Sequence, residues 1–203
     1  HVARKTMACN WKIFWENFNE CLHCPGVHKH LSQLVPIYGR GLMAKEDDPE
    51  WARRPDNDAP EHSGGLRKGA ETWSEDGLVH GQVFQTLSET ERKAGQTYAT
   101  HLPSMFVVGH IDYVRVVSLL PLGSQETQLT AEWLFLPGTL EDQTAVDNIV
   151  RFGERVLDED AGICEVDQRG LGSNRHHHGV LMPEEYDIHR FHRWVREHHA
   201  ASG

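Results

Sequence analysis

Thr127-Gln128-Leu129-Thr130-Ala131-Glu132-Trp133-Leu134-Phe135-Leu136 is the stretch on which the fold turns. Leu129, Ala131, Trp133 and Phe135 alternate with Thr130, Glu132 and Leu134, an approximate period of two that marks a half-buried strand. Upstream, Met105 to Leu120 carries a second strand signal, and Pro121-Leu122-Gly123-Ser124 between the two reads as the turn of an antiparallel pair. Further strand signals begin near Ala70 and recur from Leu78 to Phe84. After Pro137-Gly138 the period becomes helical, from about Glu141 to Gly170. A last amphipathic helix runs from Pro183 into the tail, with Tyr186, Ile188, Phe191 and Trp194 on its apolar side and proline at a favoured starting position. Strands followed by a long helix define an α+β domain.

Toward the N-terminus, Trp11 to Cys24 has aromatic and aliphatic residues spaced for a buried helix, or for a short strand passing into one, and Pro25-Gly26 interrupts it. Residues 41–69 turn polar and Pro/Gly-rich, through Glu46-Asp47-Asp48-Pro49 and Pro55-Asp56-Asn57-Asp58, and read as one long solvated loop.

At 203 residues the chain can bury a sizeable core as one large domain or two small ones. Its formal net charge of -10 argues against a nucleic-acid partner, which calls for basic patches. No apolar stretch approaches the ~20 residues of a membrane helix, and no signal peptide stands at the start. Cys9, Cys21, Cys24 and Cys164 do not resemble a secreted disulfide framework, so a reducing cytoplasm is the default location. The chain begins at His1 rather than Met and reads as a piece of something longer.

The chemistry concentrates in Asn17-Phe18-Asn19-Glu20-Cys21-Leu22-His23-Cys24-Pro25-Gly26-Val27-His28. His23 and His28 are close enough in sequence to converge on one metal ion, since neutral imidazole suits iron, copper, nickel and zinc. On an unbroken helix, at ~100° per residue, they would point roughly 140° apart. A helix that ends or distorts near Pro25 swings them together. A third ligand emerges from the 141–170 helix, where Val146, Ile149, Val150, Val156, Leu157, Cys164 and Leu171 recur at three- and four-residue intervals. Of Asp158, Glu159 and Asp160, only Asp160 falls in the middle of that stripe while the other two face away; a carboxylate there must be paired or bind a metal. Asp167 lies near the same face and is its competitor. Two histidines plus one carboxylate form the facial triad of non-haem Fe(II) oxygenases. Against it stands the plain reading that these are surface or structural histidines in a chain with 15 of them. His176-His177-His178, among Arg, Asn and Gly, reads as a solvated loop. Cys21 and Cys24 lack the second Cys/His pair of a structural zinc site and the βαβ setting of a thioredoxin-like motif.

Several segments together resemble the iron-site domain of Rieske non-haem iron oxygenase large (alpha) subunits, the aromatic-ring-hydroxylating dioxygenase family. They are Asn10-Trp11-Lys12, Glu16-Asn17-Phe18, Glu20-Cys21-Leu22-His23-Cys24-Pro25, Val27-His28, Asp112-Tyr113-Val114, Glu132-Trp133-Leu134-Phe135, Glu159-Asp160, Gln168-Arg169-Gly170-Leu171 and Phe191-His192-Arg193-Trp194-Val195. The resemblance covers nearly the whole chain and implies a single catalytic mononuclear iron domain over 1–203. Its fold would be of the helix-grip kind, an antiparallel sheet wrapped over a long C-terminal helix.

The resemblance implies Fe(II) held by His23, His28 and Asp160, with Glu20 as the acid that carries electrons from a neighbouring subunit's cluster and Asn17 close to the iron. The family's N-terminal Rieske domain, whose [2Fe–2S] cluster is held by two Cys and two His, has no counterpart here, so electrons must come from a missing segment or another chain. O2, a small organic substrate, a reductase or ferredoxin donor and a homotrimer are implied with it. Glu rather than Asp at position 20 leans toward the members acting on quaternary ammonium compounds, which would be hydroxylated or N-dealkylated. Phe106, His110, Tyr113 and Trp133 are candidates for the substrate pocket, aromatic rings being suited to a cationic ligand. The rival from another class is a helix-grip ligand-binding module without turnover.

Overall fold

In the computed structural model, which describes residues 1–50, 53 and 59–201, the alternating run around Trp133 lies at the heart of a five-stranded antiparallel sheet. In chain order the elements are β1 (Val2–Met7), helices α1 (Trp11–Phe18), α2 (Cys24–Val27), α3 (Lys29–Leu34), α4 (Pro60–Ser63) and α5 (Glu89–Ala94), strands β2 (Gln96–His101), β3 (Met105–His110), β4 (Tyr113–Gly123) and β5 (Glu126–Phe135), the 29-residue α6 (Gln143–Leu171) and α7 (Tyr186–Ala201). The strands lie in the order β1-β5-β4-β3-β2. The expected α+β architecture is the observed one.

The period of two is realised as two faces. On β5, Leu129, Ala131 and Trp133 are buried while Leu134 is exposed; on β4, Tyr113, Arg115, Val117 and Leu119 point inward. The buried stripe of α6, from Val146 through Ile149, Val156, Leu157 and Ala161 to Cys164, joins this face in one core. Gly153 lets the helix approach Trp133, because a Cβ at that position would lie 2.9 Å from the indole ring. Leu171 does not extend the stripe as expected; it is exposed. α7 adds buried Ile188 and Phe191, the latter in the same core and stacked on Trp15 with ring centroids 4.1 Å apart.

Four further expectations are corrected. Met105 to Leu120 is not one strand: the chain reverses at Ile111-Asp112 into β3 and β4, which pair with each other. Buried Asp112, whose carboxylate accepts from Thr72 Oγ1 at 2.5 Å, sits in that reversal. The β4–β5 loop is only Ser124-Gln125, since Gly123 pairs with Glu126, and Pro121 and Leu122 belong to β4 around a register shift. The stretches near Ala70 and from Leu78 to Phe84 form no strand. Ser74 Oγ accepts from the Gly77 amide, Asp76 accepts from the Leu78 amide, and Gly77 takes φ +82, so a side-chain-built turn replaces the ladder. Finally, Pro25 starts a helical turn instead of ending one: α1 stops at Asn19, and Pro25 sits in the first turn of α2.

Within the 41–69 segment the described residues include the turn Lys45–Asp47 and α4, and Arg40 pairs with Asp48 at 2.7 Å. Pro55, Asp56, Asn57 and Asp58 lie outside the described residues. Among the described residues no helix is long and apolar enough to cross a membrane.

Candidate metal centre

Two segments 132 residues apart build the centre. The first runs from the end of α1 through α2. Asn19 caps α1 with its backbone N–H on the Glu16 carbonyl and its side-chain amide on the Trp15 carbonyl, which turns the chain out of the helix. Glu20 folds back so that its carboxylate accepts from the Leu22 amide. His23 precedes α2 and His28 follows it, so one short turn presents both rings to the same point. The Cys21–Cys24 disulfide, bridging Cα atoms 4.9 Å apart, ties the turn shut. That pairing was not anticipated from the sequence, and it commits the Cys24 sulfur, 3.9 Å from His23 Nε2, to another bond. Cys24 is therefore a poor ligand despite its closeness to the two imidazoles.

The second segment is the middle of α6. Asp160 is buried on the core stripe, as its helical phase requires, whereas Asp167 is exposed one to two turns further on. His28 Nε2 lies 2.9 Å and His23 Nε2 3.4 Å from Asp160 Oδ1, and the two Nε2 atoms are 3.1 Å apart. Three potential ligand atoms thus face one point.

The outward sides of the rings are equally specified. His23 Nδ1 lies 2.5 Å from a Glu20 carboxylate oxygen and His28 Nδ1 2.7 Å from Glu159 Oε2. A carboxylate only accepts, so each ring carries a proton on Nδ1 and turns its Nε2 toward the centre. Asn17 Nδ2 donates to Asp160 Oδ1 at 2.7 Å and fixes the third group. Glu159 is the participant that the sequence reading missed: it was assigned to the outward face, yet it lies only partly exposed against His28. The signal was present as an acid beside Asp160, but helical phase alone does not show that His28 approaches from the side.

Electrostatics follow from this crowding. Burial works against charge on His23, but the Asp160 and Glu20 carboxylates raise its pKa to about 9. His28 is raised in the same way by Asp160 and Glu159 against the effect of burial. Burial alone would push Asp160 up; the two imidazoles overcome it and hold the carboxyl at about 2. A buried cluster of this kind, with every outer nitrogen satisfied and the inner atoms converging, suits a divalent cation that takes imidazole and carboxylate ligands. The residues fit a mononuclear Fe(II).

A cavity of about 60 Å³ opens beside the three groups. Its aromatic lining is Phe18, Tyr38, Trp73 and Tyr98, and Arg115 contributes its one permanent positive charge. The pocket candidates Phe106, His110, Tyr113 and Trp133 are not among the lining residues. They are buried beside it, with His110 stacked on Tyr113 at 4.2 Å, and serve as core. Alternation along the strands placed them on the inner face, but the rings that reach the cavity come mostly from loops and helices, which carry no period. His176, His177 and His178 are exposed, as expected of a solvated loop.

Residues 1–201 match the family of ring-hydroxylating alpha subunits, catalytic domain, and the chain belongs to that family. Among curated relatives it is 24% identical over 201 residues to a chloroplastic choline monooxygenase of Beta vulgaris and 27% identical over 191 residues to the glycine betaine monooxygenase oxygenase subunit of Chromohalobacter salexigens. These alignments take in 97% and 81% of the chain but only 39% and 41% of the relatives. Among solved structures, a quaternary ammonium Rieske monooxygenase covers 98% of the chain with 50% of its own length, at a TM-score of 0.63 and 15% identity, and so shares the fold.

Proposed function

We propose that this chain is the O2-activating catalytic domain of a Rieske-type oxygenase acting on a quaternary ammonium compound. The observation that carries the reading is the convergence of His23 Nε2, His28 Nε2 and Asp160 Oδ1, with Glu20 and Glu159 holding the outer nitrogens. His23, His28 and Asp160 would hold Fe(II), which supplies O2 activation for hydroxylation or N-dealkylation when bound. The chain's own contribution is positional. Glu20 and Glu159 keep the imidazoles in the ligating tautomer, Asn17 orients Asp160, and the disulfide-closed turn prevents His23 and His28 from separating. The small cavity suits a compact substrate better than a fused aromatic ring. Its four aromatic rings favour a cation.

Glu20 borders both this cavity and an outer surface groove that also includes Glu16 and Asp167. That position supports a path from His23 to a [2Fe–2S] cluster docked from a neighbouring subunit, and a homotrimer and a reductase or ferredoxin donor belong to the same proposal.

The test is anaerobic loading with Fe(II) followed by metal analysis. The reading expects close to one iron per chain in the native protein and loss of retention in His23→Ala. Less than about a tenth of an iron per chain would favour a ligand-binding module without turnover. Unchanged iron in the variant would remove His23 from the site.

A further inference from the structure

Arg115 stands out among the charged groups of the molecule. It projects from the inner face of β4, between Tyr113 and Val117, and is only 2% exposed. Its Nε and Nη1 are buried without a hydrogen-bond acceptor, and among the described residues no carboxylate forms an ion pair with it. A fully buried guanidinium with free donors is costly, since each unmet donor carries about 1–3 kcal/mol and the charge more. Asp160, which lines the same cavity, lies within electrostatic reach of Arg115, but its carboxylate oxygen is taken up by His28 and Asn17 and makes no ion pair with the guanidinium.

The surroundings repeat the pattern. The guanidinium carbon lies 5.9 Å from the centroid of the Trp73 ring, and Trp73 Nε1 is also buried without an acceptor. Both residues line the cavity that reaches His23, His28 and Asp160. Arg115 and Trp73 thus bring unpaired donors, one of them charged, to the border of a small cavity whose other polar lining includes Tyr38, Gln96 and Asn17. Arginine's planar fork matches a carboxylate with two parallel hydrogen bonds. Phe18, Tyr38 and Tyr98 add aromatic lining to the same cavity, and aromatic rings suit a cation.

We infer that Arg115 anchors the carboxylate of a zwitterionic betaine, a quaternary ammonium group joined to a carboxylate, and that this chain selects such substrates over amino alcohols of the choline type. The inference rests on the quaternary ammonium reading above and narrows it. Choline presents the cation with a hydroxyl, which would leave the guanidinium charge uncompensated. A betaine satisfies both ends of the cavity. With the carboxylate held at Arg115, its N-methyl groups are left to project toward His23, His28 and Asp160.

Three probes separate the contributions: glycine betaine carries both charges, choline only the cation, and 3,3-dimethylbutyrate only the carboxylate in nearly the same shape as the betaine. Calorimetric titration of the Fe(II)-loaded full-length protein should show glycine betaine binding at least tenfold tighter than choline. Arg115→Gln should weaken glycine betaine and 3,3-dimethylbutyrate tenfold or more and leave choline within about twofold, with iron content unchanged. Arg115→Lys keeps the charge without the fork and should show a smaller loss confined to the same two ligands; it also decides the matter if the glutamine variant does not fold. Equal weakening of all three ligands in the folded variant, or choline binding as tightly as betaine in the native protein, would overturn the role of Arg115 and leave the quaternary ammonium reading standing. Binding of 3,3-dimethylbutyrate that depends on Arg115, with none of glycine betaine or choline, would keep the anchor and sink the quaternary ammonium reading instead.

Discussion

His23 sits between two carboxylates, and its titration sets the pH behaviour of the metal-free chain. With Asp160 and Glu20 raising its pKa from 6.5 to about 9, the protonated ring contributes stability that is complete below pH 6.5 and disappears as pH rises through about 9. Asp160, held near 2 against an ordinary 3.8, contributes stability that is present above pH 3.8 and lost as pH falls through 2. Urea denaturation of the metal-free chain should therefore show a plateau between about pH 4 and 6.5 and a decline from there to pH 9. The decline should become shallower in His23→Ala, with the remainder coming from His28, whose pKa is raised in the same direction. Metal affinity should run the opposite way, rising with pH, because the ion must displace the proton on Nε2. The histidines and Asp160 were legible in the sequence because spacing and helical phase are local properties. Glu159, Arg115 and the cavity's aromatic rings were not, because each owes its place to a neighbour distant in the chain.

At the scale of elements, the decisive contact is α6 crossing the sheet at Gly153. A methyl group there would come within 2.9–3.2 Å of three atoms of the Trp133 indole, itself only 1% exposed. Exchange of glycine for alanine inside a helix ordinarily gains about 1 kcal/mol. Overpacking a tight core typically costs ~1–3 kcal/mol, and here the ring has no open space to retreat into. Gly153→Ala should accordingly lower unfolding stability by on the order of 1 kcal/mol, measured by chemical denaturation, instead of raising it. Where the sequence was misread, the fault lay in continuity. The apolar run from Met105 to Leu120 contains no glycine-proline punctuation at Ile111-Asp112, so one strand was expected where a buried hydrogen bond from Thr72 stabilises a reversal. β1 and β2, both at sheet edges, lacked a strong apolar alternation and escaped notice, whereas α6 and α7 were read nearly to their ends.

Across the whole molecule, the candidate ligands join the N-terminal third of the chain to its last third, with His28 and Asp160 separated by 132 residues. An ion bound there is a reversible cross-link. In the unfolded chain those groups are far apart, so nearly all the binding free energy is available only to the native state. At a hundredfold excess of free divalent metal over its dissociation constant, the native state should gain roughly 2.7 kcal/mol. The thermal midpoint should rise with metal concentration and return to its starting value with a chelator, and Asp160→Asn should abolish the shift. Without the ion, three carboxylates and two imidazoles must balance one another inside a folded core. The span that gathers these ligands is then also a clasp whose closure depends on metal supply, so the protein should be less durable wherever the ion is scarce.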